Sequence, residues 1–299
     1  MGPVISVVLP IYKPNLIQLD EALKSIATQT FENYECLCIC DSPDEATTTL
    51  LAKFTKKDPR FRIILGHDAG LIDALNLGLS VSSGQYIARM DVDDISLKDR
   101  FQLQYNLLEN NDYDIVGGHY FIINNESKYI SARVVPVGDY EIRLTLASTV
   151  PFAHSSVMIR SSYLKKEKLG YGLGKNLVAE DYQLWVQMMN RGARFGNVDE
   201  WLLAYRWSDD SLSQRVKSSN KRDTLKIREE YFLTNIDKLN EAIAYMAGTQ
   251  VSDELEETMV FVACKLALKK LSLKPIFTVS KISRRFLAQG ILKFFFEKI

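Results

Sequence analysis

The sequence predicts an α/β fold: a mostly parallel central sheet flanked by helices, with a helical extension at its C-terminal end. Two observations carry that expectation. From Val4 to Met90, runs with the residue preferences of buried strands alternate with segments whose leucines recur at helical spacing. The first run, Val4-Ile5-Ser6-Val7-Val8-Leu9, is too continuously apolar for a strand with one wet face, so it belongs to a strand buried on both. Right-handed crossovers between such strands give a parallel sheet with helices on both faces.

Taken in order, Pro10 is expected to end the first strand, with Tyr12 and Pro14 holding the loop after it. Leu16, Leu19, Leu23 and Ile26 mark a helix through Gln29. A second strand, Glu35 to Cys40, closes on Asp41-Ser42-Pro43-Asp44 and leads into a helix through Phe54. Phe61 to Leu65 is the third strand; after the turn Gly66 to Gly70, Leu71, Leu75 and Leu79 mark another helix. Tyr86 to Met90 is the fourth strand, and it delivers Asp91-Val92-Asp93-Asp94.

Beyond this point the pattern loosens. A helix is expected over Arg100 to Glu109, strands over Asp114 to Ile123 and Tyr129 to Val135, a short helix over Asp139 to Ala147, and a strand ending at Ile159. Gly170-Tyr171-Gly172-Leu173-Gly174 is either a mobile flap or a turn. A helix over Tyr182 to Asn190 and a strand over Trp201 to Trp207 follow. Lys221 to Leu233, Leu239 to Met246 and Leu255 to Leu271 are read as the helices of the extension, so the domains are placed at 1–215 and 216–299.

Composition narrows the classes. Lys plus Arg and Asp plus Glu both number 37 in 299 residues, so no global field favours nucleic acid. Cys36, Cys38 and Cys40 alternate along one strand and share a face; a metal site more often uses Cys-x-x-Cys from a turn, and small buried thiols in a reducing compartment are the better account. The first residues lack the basic region of a secretory signal, and Pro3 argues against the acylation pattern that Met1-Gly2 superficially offers. No apolar stretch is long enough to span a bilayer. The expected location is the cytoplasm, or the cytoplasmic face of a membrane.

Chemistry gathers at the acidic strand ends. In extended chain Asp91 and Asp93 leave on the same side, where two hard oxygen donors can hold Mg²⁺ or Mn²⁺ against a phosphate-bearing substrate. The same cluster can instead be the acidic start of the next helix, with Asp94 or Ser96 as its cap. Asp41 ends the second strand at the same sheet edge, where it can accept from a base N–H or a ribose hydroxyl, or make an Asx-turn with Ser42. Their coincidence at one edge favours a site. No glycine-rich phosphate loop follows the first strand, so phosphates have to be neutralised by a metal.

These residues, with several others, resemble the inverting glycosyltransferases of family 2, which have the nucleotide-diphospho-sugar transferase (GT-A) fold. The resemblance runs in order through Val7-Val8-Leu9-Pro10-Ile11-Tyr12, Ser25-Ile26-Ala27-Thr28-Gln29-Thr30, Asp41-Ser42-Pro43-Asp44 and Gly70-Leu71-Ile72-Asp73-Ala74-Leu75-Asn76-Leu77-Gly78. It continues through Ser83-Gly84-Gln85-Tyr86, Asp91-Val92-Asp93-Asp94, His154-Ser155-Ser156-Val157-Met158, Glu180-Asp181-Tyr182 and Tyr205-Arg206.

The resemblance implies roles position by position. Pro10, Tyr12 and Asp41 line a uridine pocket, Gly70 and Asn76 shape the nucleotide loop, and Asp91 contacts the nucleoside ribose. Asp93 ligates a divalent metal, Mn²⁺ or Mg²⁺, that bridges the diphosphate. Asp181 is the catalytic base, for which spacing alone offers a helix cap or first-turn charge. Glu180, His154 and Arg206 fall on the acceptor or phosphate side, His154 being equally a satisfied polar residue at a strand start. The implied partners are a nucleotide-sugar donor, a UDP-sugar first, and a glycan or lipid-linked glycan acceptor in surface polysaccharide or lipopolysaccharide biosynthesis.

The chain departs from the family pattern at Cys40, where many members are acidic, and at Trp207-Ser208-Asp209-Asp210, where many carry a His. Those departures leave a non-catalytic, membrane-bound assembly partner as an alternative. A sugar-nucleotide nucleotidyltransferase is a second, which Ile11-Tyr12-Lys13-Pro14-Asn15 disfavours for lack of a glycine-rich basic loop. Past Ser213 the resemblance fades. Lys265, Lys269, Lys270, Lys274, Lys281, Arg284, Arg285, Lys293 and Lys298 interleave with large apolar residues, as in an amphipathic element on an anionic membrane or a helix packed on the protein.

Overall fold

The computed structural model describes residues 2–173, 179–208, 217–247, 249–270 and 274–279. The chain divides into two compact units, one of residues 1–135 and 152–220, the other of residues 136–151 and 221–299. The divide expected after residue 215 takes no account of 136–151, which groups with the C-terminal helices.

In the first unit the alternation becomes β1 (Ile5–Tyr12), α1 (Leu16–Ala27), β2 (Tyr34–Asp41), α2 (Glu45–Lys57), β3 (Phe61–Leu65), α3 (Leu71–Val81) and β4 (Tyr86–Arg89). There follow β5 (Ile95–Ser96), α4 (Arg100–Asn110), β6 (Ile115–Ile123) and β7 (Tyr129–Arg133). After α5 (Asp139–Leu146) of the other unit come a 3-10 turn (His154–Ser156), β8 (Met158–Arg160), α6 (Ser161–Glu167), α7 (Glu180–Asn190) and β9 (Phe195–Arg206). The sequence pattern misses β5 and α6, which are too short for periodicity to mark, and starts β9 late, at Trp201.

The strands form a nine-stranded sheet in the order β3-β2-β1-β4-β8-β6-β9-β5, with β7 paired to β6. β3, β2, β1 and β4 run parallel, as do β6 and β9; β8, β7 and β5 are antiparallel to their neighbours. The chain steps outward from β1 to β3 and then crosses back to place β4 on the other side of β1. A ligand crevice is therefore expected at the carboxyl ends of β1 and β4.

Pro10 does not end β1; it ends the β1–β4 ladder. Val8 accepts from the Met90 N–H at 3.1 Å, the last bond on that edge. The next bond of a parallel ladder would be donated by residue 10, and proline has no N–H to give. On its other edge β1 stays paired to β2 as far as Tyr12. The two strands thus part where the acidic residues begin.

Burial on both faces explains the absence of alternation in β1. Ile5, Val7, Leu9 and Ile11 share one core with Cys36, Cys38 and Cys40 of β2, Leu19, Leu23 and Ile26 of α1, and Phe101 of α4. On the opposite face α3 lies so close to β1 that a Cβ on Gly78 would collide with Val8. Asn15 caps α1, accepting from Ile17 N at 3.0 Å, and the helix stops at Ala27, short of Gln29.

The second unit holds α5, α8 (Lys217–Thr234) from Lys221 onward, α9 (Ile236–Met246), α10 (Asp253–Lys270) and α11 (Lys274–Val279). Leu239 and Ile243 of α9, Met259 and Val262 of α10, and Ile142 and Leu146 of α5 are buried there. Lys265 of the basic C-terminal stretch pairs with Glu229 at 2.9 Å and lies over the Phe232 ring, so it belongs to this unit's own packing. The basic residues from Lys281 onward lie outside the described residues. No described helix is long and apolar enough to cross a membrane.

At the amino ends of the strands, buried Glu35 accepts from Ser6 Oγ at 2.7 Å, from Ser83 N at 3.0 Å and Oγ at 2.6 Å, and from Arg62 at 2.6 Å. Burial pushes its carboxyl up, but the bonds from Ser83, Ser6 and Arg62 outweigh it and hold the group below the usual range. Glu35→Gln should cost about 1–3 kcal/mol at neutral pH by leaving buried donors poorly matched. Because the folded-state pKa is depressed, this stabilisation is present above the unfolded value and lost as pH falls through the folded one. Urea unfolding of wild type and variant should therefore converge in acid.

Candidate active site

β4 stops at Arg89, and Asp91 to Asp94 lie on a bend rather than in extended chain. The bend gathers three carboxylates instead of the two that strand geometry would align: oxygens of Asp91, Asp93 and Asp94 lie within 4.8 Å of one another. Asp94 is not a helix cap. It is buried, Oδ2 accepting from Ser155 Oγ and Oδ1 from Arg206 N, while Asp99 precedes α4 without a side-chain cap bond. Burial, then the charges of Asp91 and Asp93, drive its pKa well up. Burial and the neighbouring Asp91 lift Asp93 to about 6. With both Asp94 oxygens engaged, Asp93 and Asp91 are the pair with lone pairs to offer. These hard, closely spaced oxygens fit Mg²⁺ or Mn²⁺.

Four side chains fix the bend. Arg100, fully buried, donates to the Arg89 carbonyl at 2.8 Å. Ser25 of α1 accepts from Ser96 N at 3.0 Å, and Gln29, just past the end of that helix, donates to the Leu97 carbonyl at 2.8 Å while accepting from Phe101 N at 3.1 Å. Arg206 was expected on the acceptor or phosphate side, but all its side-chain nitrogens are engaged within the protein. Its Nε donates to the Asp93 carbonyl at 2.6 Å, its Nη1 to the Asn124 carbonyl at 2.7 Å and its Nη2 to Glu21 at 2.7 Å. At 2% exposure it staples the bend from behind and has no free face for a phosphate.

Arg89 stands at the centre of the charge distribution. It is 4% exposed, ion-paired with Asp91, and its Nε has no hydrogen-bond partner among the described residues. Its positive charge also acts on Asp93, Glu180 and Asp181. Glu180 and Asp181 occupy the first turn of α7, where the helix dipole favours carboxylates, and Asp181 Oδ1 accepts from Tyr182 N at 2.7 Å. Burial and then the Asp181 charge push Glu180 up to about 7; burial raises Asp181, and Arg89 opposes it. Asp181 is thus a first-turn charge and also within electrostatic reach of the acidic bend.

The residues expected around a nucleotide occupy the carboxyl edge. Tyr12 and Asp41 are register partners in β1 and β2, Tyr12 62% exposed with Lys13 over its ring, Asp41 buried. Asp41 Oδ1 accepts from Asp68 N at 3.3 Å, a long-range bond in place of an Asx-turn, and a Cβ on Gly66 would collide with it. Gly70 precedes α3 at φ +92°, a conformation that favours glycine. Asn76 was expected to shape the nucleotide loop, but both ends of its amide bond the Tyr171 backbone. The segment through Gly172 is therefore docked on α3; Gly174 lies outside the described residues. His154 is a satisfied polar residue: its Nε2 lies 2.9 Å from the Tyr171 hydroxyl, and burial, then Arg89, keep it well below its usual pKa and neutral.

Sequence reasoning passed over Arg89, Tyr171 and the structural role of Gln29. The signal for Arg89 was present: a charged residue inside the buried run Tyr86-Ile87-Ala88-Arg89-Met90 needs counter-charge.

The sequence profile described as Glycosyl transferase family 2 matches residues 6–167, more than half of the chain. The chain belongs to that family. WbnJ, an O-antigen biosynthesis glycosyltransferase of Escherichia coli, is 29% identical over 228 residues, 75% of this chain and 88% of WbnJ. AmsE, an amylovoran biosynthesis glycosyltransferase of Erwinia amylovora, is 28% identical over 213 residues, 70% of this chain and 79% of AmsE. Among solved structures, S. aureus TarS 1-349 in complex with UDP-GlcNAc is similar with a TM-score of 0.60 at 15% identity, over 89% of this chain and 80% of that one. PcManGT, a mannosyltransferase of Pyrobaculum calidifontis in complex with GDP-Man and Mn²⁺, is similar with a TM-score of 0.55 at 14% identity, over 100% of this chain and 89% of that one. At such identities the likeness is one of fold, and the fold is GT-A.

Replacing Arg89 by Met should destabilise the protein by about 3–5 kcal/mol, since buried carboxylates lose their counter-charge. Chemical unfolding should show that loss at neutral pH and a smaller one in acid, where the carboxylates are protonated.

Proposed function

We propose that this glycosyltransferase moves a sugar from a nucleoside-diphosphate donor, a UDP-sugar, to a hydroxyl of a glycan or lipid-linked glycan, with inversion at the anomeric carbon. The observation that carries this reading is the single electrostatic unit of Asp91, Asp93, Glu180 and Asp181 around Arg89, at the crevice where β1 and β4 part. TarS in complex with UDP-GlcNAc and PcManGT with GDP-Man and Mn²⁺ support it by fold, and WbnJ and AmsE support a place in surface polysaccharide assembly. Such work belongs in the cytoplasm or at the cytoplasmic face of a membrane, where nucleotide sugars meet lipid-linked acceptors.

In this reading the exposed Tyr12 ring stacks on the base, and Asp41, its register partner, bounds the nucleoside pocket together with Pro10 and Gly70. Asp91 reaches the ribose. Asp93, with Asp91 beside it, would hold a divalent cation, whose charge would offset that of the departing diphosphate. Asp181 takes the proton from the acceptor hydroxyl at a carboxylate oxygen, on the face of the sugar opposite the leaving group. Its buried setting raises its basicity above that of an exposed aspartate. Glu180, beside it, is pushed up by burial and by the Asp181 charge.

Asp181→Asn should reduce transfer by about 10²–10⁴-fold. Donor affinity should be unchanged, as read by calorimetry with UDP and Mn²⁺; full transfer by this variant would refute the base assignment. Mn²⁺ should raise the melting temperature of the wild type but not of Asp93→Asn. Because the metal competes with a proton on Asp93, its apparent affinity should fall as pH drops through about 6.

A further inference from the structure

One side chain joins α3 to the segment ahead of α7. Asn76 Nδ2 donates to the Tyr171 carbonyl and Asn76 Oδ1 accepts from the Tyr171 N–H, each at 2.9 Å, so a single amide closes a two-bond clamp between residues 95 apart. The flanking glycines make room for it. A Cβ on Gly170 would lie 2.8 Å from Asn76 Oδ1, and Gly172 sits at φ +68° with Ile72 of α3 2.8 Å from where its Cβ would be.

The clamped residue reaches the proposed site. Tyr171 is 3% exposed, its hydroxyl 2.9 Å from His154 Nε2, and its phenol lies in the field of Arg89, Glu180, Asp181 and Asp91. Burial pushes the phenol up and the imidazole down, so both are neutral and their bond holds position without carrying charge. His154 in turn meets Trp185 edge-on, ring centroids 5.8 Å apart. Trp185 is on α7, the helix whose first turn carries Glu180 and Asp181.

We propose that Tyr171, clamped by Asn76 and braced by His154, is a positioning residue that seats the start of α7 and so aims the Asp181 carboxylate. The inference rests on the reading of Asp181 as the base.

The test compares wild type, Asn76→Ala, Asn76→Asp and Tyr171→Phe. Asn76→Asp keeps the shape but cannot donate to the Tyr171 carbonyl, and Tyr171→Phe removes only the hydroxyl. Both Asn76 variants should lower kcat about 10- to 100-fold with donor KM held within about twofold, and Tyr171→Phe should do the same by a smaller factor. A raised donor KM with kcat preserved would make Asn76 a nucleotide contact and overturn the proposal. Amide hydrogen exchange supplies a readout that needs no turnover. It should quicken in residues 169–173 and at the start of α7 in the Asn76 variants, and stay unchanged in β1 and β4. Unaltered exchange at the start of α7 would overturn the proposal even if transfer were never detected, whereas an inactive wild type with the expected exchange would count against the function alone.

Discussion

A buried guanidinium among carboxylates is the interaction on which the rest of this structure depends. Arg89 is removed from water, which is tolerable only because Asp91 pairs with it and further acids surround it. The acids in turn could not be held so close without it. Desolvation and mutual repulsion still lift Asp93 and Glu180 toward neutrality. The backbone around these acids is fixed by Arg100, Gln29 and Arg206.

The β1–β4 ladder ends at a missing donor. A parallel sheet zipped to its edge would seal β1 against β4, and Pro10 stops the zipper where Met90 would need it. The opening therefore comes without distorting β1, which remains paired to β2 through the register partners Tyr12 and Asp41. Strand order places the switch point between β1 and β4, and one proline sets where their ladder stops.

Much of the fold was legible because burial on both faces leaves a mark in composition, as Val4 to Leu9 and the three cysteines of β2 show. The acidic strand ends were legible as neighbours at one sheet edge. What escaped was whatever depends on partners far away in sequence. Asp94 reads locally as a cap, and only Ser155 and Arg206 reveal it as a buried acceptor. Arg206 and Asn76 read as groups facing a ligand, because sequence cannot say that Glu21, Asn124 and Asp93 engage the one, or that Tyr171 engages the other. Pairwise periodicity sees faces; it does not see which polar atoms are already occupied.

The position of Arg206 bears on the order in which this protein is made. It closes β9, the last strand of the first unit, yet it holds the carbonyl of Asp93, the carboxylate of Glu21 and the turn at Asn124. During synthesis the strands β1 to β4 can pair as soon as they emerge, whereas the acidic bend waits for a residue more than a hundred positions later. A partly made chain thus holds a sheet with an unset site. The bend receives its last support with the end of β9, so a truncated or nicked chain can keep its core and lack the bonds that Arg206 makes to Asp93 and Asp94.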